Sequence, residues 1–225
     1  EDIVEKLSVF AGLNRPIIHT PLSKPKGSIV RKSVSKNTEQ MHLIVGVPGL
    51  GQNDEDMPAL YIINNILGGG LSSRLFQEIR EKRGLAYSVY SYHSAYADTG
   101  LFAIYAGTNI AKTNEVIKCI LEQVNILKDK GISEEELQKS KAQIKGNLFL
   151  GLESVSSIMS RLGKTELTFG RVKTAEETVE ELEKVTLSDI NRVMQRLWQK
   201  DQISILTLGQ KEFSTDFDDI VKNTI

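Results

Sequence analysis

The chain has 225 residues, 40% of them hydrophobic and 25% charged, which is enough for one large domain or two small ones. Its net charge of -1 argues against a nucleic-acid or anionic-membrane surface, either of which needs a basic excess. No apolar run approaches the roughly 20 residues that span a bilayer, and a single cysteine excludes an internal disulfide framework.

The chain opens on Glu1 and is expected to be a fragment or processed product of a longer polypeptide. Ile3, Val4, Leu7 and Phe10 form a short helical stripe. Pro16, Pro21 and Pro25 follow, and three prolines in ten residues suit an extended, semi-rigid linker. Two strand-like runs come next, 28–35 and 41–47. In the second, Met41, Leu43, Val45 and Val47 alternate with His42, Ile44 and Gly46, so both faces are largely apolar and the strand is an inner one. A helix begins near Asp56, with Pro58 in its first turn, and carries Leu60, Ile63 and Leu67 to a triple glycine. The next helix is expected to bury Leu71, Leu75, Phe76 and Ile79 and to stop at Gly84, a natural left-handed cap.

Strands over 85–96 and 100–107 form a hairpin through Asp98, Thr99 and Gly100. The period then turns helical, with Val116, Ile117, Ile120, Leu121, Val124 and Leu127 on one face. Cys119 lies inside that pattern and reads as a small buried or half-buried apolar residue rather than a nucleophile. Ser133 with Glu136 is a capping box opening a helix through Leu137, Ile144 and Leu148, and Thr174 with Glu177 repeats the box. Ile190, Val193, Met194 and Leu197 mark a further helix, and 203–208 is a last strand before an acidic tail of short helix or coil. The order implies an α+β, two-layer sandwich: an antiparallel or mixed sheet with helices on one face. The expected organisation is 1–27 as helix and linker from a preceding domain, 28–212 as the domain proper, and 213–225 as the tail.

Three histidines, His19, His42 and His93, each stand alone, with no second histidine or carboxylate at the helical spacing of paired ligands. No metal site is therefore assigned. No serine sits in a Gly-x-Ser-x-Gly elbow, and Ser72 or Ser73 is expected to cap the helix that ends at Gly84. Gly68, Gly69 and Gly70 invite an anion cradle, but they follow a helix and lack a Walker lysine. The better reading is that two helices meet there at a sharp angle with positive φ, close to other backbone. Arg80 and Tyr87 flank the Gly84 turn. A guanidinium and a phenol held together are good donors to an oxyanion, while dipole complementation for Arg80 and packing for Tyr87 would also explain them.

A run of residues carries a resemblance: Leu67-Gly68-Gly69-Gly70, Ser72-Ser73-Arg74-Leu75-Phe76, and Arg80-Glu81-Lys82-Arg83-Gly84-Leu85-Ala86-Tyr87-Ser88, then Asp98-Thr99-Gly100-Leu101-Phe102, Glu135-Glu136-Leu137 and Lys141-Ala142-Gln143. From about Gln40 to Gly209 the chain resembles the C-terminal half of a pitrilysin/insulinase-type metallopeptidase, in the two-domain branch of bacterial zinc proteases and the mitochondrial processing peptidase. The resemblance implies a non-catalytic half that closes a peptide chamber against a partner half bearing His-x-x-Glu-His. It implies that Arg80 and Tyr87 reach the substrate at the scissile bond, and that Gly68, Gly69, Gly70, Ser72 and Ser73 form a structural and functional loop. It also implies Zn2+ in the complete enzyme and none on this chain, which lacks the inverted zinc motif and alone would be inactive. Expected partners are the zinc-bearing half or a partner protomer, and an extended peptide, with a dimer as the complete form; nucleic acid and membrane are not expected. The expected compartment is the bacterial cytoplasm, with a mitochondrial one left open. The alternative is a structural or regulatory scaffold homologue that hydrolyses nothing.

Overall fold

A computed structural model describes residues 2–10, 25, 27–210 and 213–224. Pro16, Pro21 and His19 lie outside these residues. Five strands form one mixed sheet: β1 (Arg31–Ser35), β2 (Met41–Gly49), β3 (Ala86–Ala95), β4 (Gly100–Thr108) and β5 (Ser204–Gly209), in the order β1-β5-β2-β4-β3. β1 runs parallel to β5, and the other pairings are antiparallel. β2 is central, as its two apolar faces require, with Met41, Leu43, Val45 and Val47 almost wholly buried. The β3–β4 hairpin closes with the Tyr96 amide donating to the Thr99 carbonyl at 2.8 Å.

Helices cover one face of the sheet. They include α2 (Met57–Gly68), α3 (Thr113–Lys130), α6 (Ala175–Lys184) and α7 (Leu187–Leu197). The core they enclose with the strands contains Leu60, Ile63, Leu67, Ile117, Ile120, Val193 and Ile205, and a T-shaped pair of Phe102 and Trp198 with ring centroids 5.9 Å apart. Each such side chain contributes about 1.5–3 kcal/mol through burial. Both expected capping boxes form, Ser133 with Glu136 at the start of α4 (Glu134–Gly151) and Thr174 with Glu177 at α6; Thr186 with Asp189 adds a third at α7. The helix α8 (Phe217–Thr224) buries Phe217, Ile220 and Val221, against α3 and β1. The stripe on α1 (Asp2–Leu7) and the turn after it is left bare, with Ile3, Val4, Leu7 and Phe10 all exposed.

Two features depart from the sequence pattern. A further helix, α5 (Val155–Phe169), is not among the expected elements, although Val155, Ile158, Met159 and Leu162 recur at helical spacing; that stripe is left outside the core, and the helix buries no residue. The helix before Gly84 winds as a π-helix over Phe76–Lys82 and buries Leu75 and Ile79 only from the expected stripe; Leu71 is exposed and Phe76 half-buried.

Candidate functional site

The glycine segment ends α2 by close approach rather than by unusual dihedrals. A Cβ on Gly68 would sit 2.2 Å from the Ser91 amide nitrogen, and one on Gly69 would sit 2.6 Å from the Asn65 Cα. Neither has a positive φ, which among the described residues is found at Gly84, Gly131 and Gly170. The expectation of positive φ at the triple glycine is therefore corrected: the missing side chains make room for β3 and for the preceding turn. The Gly69 amide donates to the Asn65 carbonyl and the Ser73 amide to the Gly70 carbonyl, so two donors an anion would need are already used. Ser72 is exposed, while the Ser73 hydroxyl is buried without a partner. Neither caps the following helix by a side-chain bond, which corrects the capping expectation. Arg74 fastens the segment to α4, its Nε and Nη2 each 2.9 Å from the Glu136 carboxylate.

Gly84 does take the left-handed conformation, with φ of 57°. Its amide and that of Leu85 donate to the Arg80 and Ile79 carbonyls, closing the π-helical turn. β3 then begins with a bulge: Ala86 pairs with Thr108 and Ser88 with Gly107, so Tyr87 is the extra residue. An unbroken strand would put Tyr87 on the face of Leu85 and Val89, which are buried. The bulge turns it out instead, and Tyr87 is 79% exposed.

Arg80 and Tyr87 consequently converge. The Arg80 guanidinium carbon lies 4.9 Å from the Tyr87 ring centroid and 4.8 Å from that of Phe76, so two rings sandwich the cation. Phe76 was read as core, and its i,i+4 spacing to Arg80 is the signal that could have placed it here. Glu81 is a weak partner, 3.8 Å from Arg80 Nε at an exposed edge. A flat, fixed guanidinium beside an open phenol can donate hydrogen bonds to one oxygen that carries negative charge.

Residues 1–144 match the family described as the peptidase M16 inactive domain. The chain belongs to this family. An uncharacterised zinc protease of Bacillus subtilis is 46% identical over 182 residues, covering 81% of this chain and 44% of that protein. One from Streptomyces coelicolor is 42% identical over 160 residues, covering 71% of this chain and 35% of its own length. The chain thus spans less than half the length of these relatives. In fold it is similar to a solved peptidase M16 inactive domain from Pseudomonas fluorescens, with a TM-score of 0.76, 24% identity and coverage of 86% of this chain and 47% of that one.

These relatives are named zinc proteases, and zinc does not suit the described residues of this chain. No group of three or more His, Cys, Asp or Glu side chains among them is placed to hold a metal. His42 Nδ1 is committed to the Tyr105 hydroxyl at 2.8 Å. His93 packs against Tyr61, and burial, then the nearby Lys164 charge, holds its imidazole below its usual pKa. Cys119 is fully buried, and burial pushes its thiol up to about 11. No helix among the described residues is long and apolar enough to cross a membrane.

Proposed function

We propose that this chain is the non-zinc half of a zinc metalloendopeptidase of the two-domain, processing-protease type. In this reading it closes a chamber over an extended peptide and lends Arg80 and Tyr87 to the scissile carbonyl. The zinc-bearing half, in the same polypeptide or a partner protomer, supplies the Lewis acid and the attacking water. The observation that carries the reading is the Arg80–Tyr87 pair, stacked at 4.9 Å and opened outward by the bulge in β3. The names of the relatives support the reaction class.

The chain's own part is electrostatic. As the scissile carbonyl gains charge, the guanidinium and phenol donate to its oxygen, and their prior fixing by Phe76 and the Gly84 turn lowers the reorganisation needed. The test is peptide cleavage by the complete enzyme carrying Arg80→Ala or Tyr87→Phe. Each change is expected to lower kcat/KM by about 10-fold or more. Unchanged cleavage in both variants would overturn the catalytic role and favour a scaffold.

A further inference from the structure

A recess lies at the other end of β3, between α2, α5 and α6, with a volume of about 600 Å³. It includes His93, six residues along β3 from Tyr87 and so about 20 Å away. Its aromatic surfaces include Tyr61, whose ring centroid is 4.9 Å from that of His93, Tyr96, and Phe169 at the end of α5. The His93 Nδ1 is buried and has no hydrogen-bond partner.

The charge balance around the recess is uneven. Arg161, Lys164 and Lys173 line it against one carboxylate, Glu181. Lys173 is paired with Glu181, which leaves Arg161 and Lys164 uncompensated. Arg161 is anchored through a single nitrogen: Nη2 donates to the Lys173 and Thr174 carbonyls at 3.1 and 2.7 Å and to Thr178 Oγ1 at 2.9 Å. Its Nε and Nη1 donate to nothing among the described residues, and Lys164 has neither hydrogen bond nor ion pair there. A guanidinium already held by one corner loses little freedom when its open edge takes a ligand, and that edge matches a planar or tetrahedral oxyanion.

We propose that this recess binds an amphipathic anion, its aromatic or apolar body lying against Tyr61 and Phe169 and its carboxylate or phosphate head held by Arg161 and Lys164. A ligand of that class fits the volume, which falls in the range of small-molecule sites. The site is separate from the Arg80–Tyr87 pair and does not depend on the protease reading.

The test is calorimetric titration of the chain with three probes: hippurate, phenyl phosphate and the neutral benzamide. Binding of either anion with benzamide silent is the expected result, and the anion that binds identifies the head group as carboxylate or phosphate. Lys164→Gln, at an exposed position that leaves the fold intact, is expected to weaken that binding by about threefold or more. Arg161→Gln is expected to weaken it further, with thermal melting reporting any loosening of the tie between α5 and α6. Benzamide binding as tightly as the anions, no binding of either anion, or an affinity untouched by Lys164→Gln each overturns the proposal.

Discussion

The guanidinium carbon of Arg80 stands 4.9 Å from the centre of the Tyr87 ring, across a turn with π-helical winding on one side and a β-bulge on the other. Each irregularity re-aims one partner, the π-turn Arg80 and the bulge Tyr87. Both devices recur where a fold presents side chains for function. The pair is thus the product of two local departures from regular structure that meet at Gly84.

The ring and the hydroxyl of Tyr87 can be separated. Tyr87→Phe keeps the surface beneath Arg80 and removes the phenol donor, whereas Tyr87→Leu removes both. Because Tyr87 is 79% exposed, neither variant is expected to change stability by more than about 0.5 kcal/mol. In the complete protease proposed above, phenylalanine is expected to lower kcat with KM little changed, and leucine to lower kcat further by releasing Arg80. Steady-state kinetics on both variants check this; equal rates would mean that the ring does not position the guanidinium.

The glycines divide by what surrounds them. Gly68→Ala pushes a methyl group into the Ser91 backbone, where the nearest atom would be 2.2 Å away, and is expected to cost about 2–3 kcal/mol or more. Gly70→Ala meets nothing nearer than the Gln143 amide nitrogen at 3.8 Å and is expected to be tolerated. Urea unfolding of the two variants side by side gives the comparison. Equal stability would mean that α2 and β3 can part at low cost.

What the sequence made legible follows the same division. Signals confined to a few residues could be read directly: the Ser133 and Thr174 capping boxes, the left-handed Gly84 and the 98–100 turn. The two-faced apolar pattern of β2 likewise marked the central strand. Features set by register or by distant neighbours could not be read. The bulge at Tyr87 depends on how β3 meets β4, so alternation alone assigned the residue to the wrong face. The space needed at Gly68 is set by Ser91, 23 positions away. The helix α5 is a different case: Val155, Ile158, Met159 and Leu162 at helical spacing, the serine cap at Ser154 and the left-handed Gly170 all mark it locally, although the fold leaves that stripe outside the core.

Cys119 offers a probe of the core. It is fully buried on the inner face of α3 with its thiol pushed up to about 11, so the reactive thiolate is scarce and out of reach. The native chain is expected to resist a thiol-modifying reagent at pH 8 and to react stoichiometrically once unfolded in urea. Mass spectrometry of both samples checks this. Rapid native labelling would mean that α3 opens on the timescale of the reaction.

The loop before α2 is clamped to α7 by charge, and this clamp predicts an acid limb of stability. Asp56, with 5% of its side chain exposed, is paired with both Arg192 and Arg196, and Arg196 also reaches Asp54 at 2.7 Å. The hydrogen bond from Arg196 is the main reason the Asp54 carboxyl lies below its usual pKa. A depressed folded pKa means that the unfolded chain binds the proton first, so stability rises with pH through this range. The contribution is present above the ordinary aspartate value of about 3.9 and is lost as pH falls through the lower folded value. Arg196→Ala is expected to cost about 1 kcal/mol at pH 7, a modest figure because Arg196 is half-exposed and Asp56 keeps Arg192. The gap between variant and parent should then shrink below about pH 4 as Asp54 protonates in both. Urea midpoints measured from pH 7 down to pH 3 test it; a gap that stays constant across that range would mean that packing around Arg196, and not its charge, holds the loop.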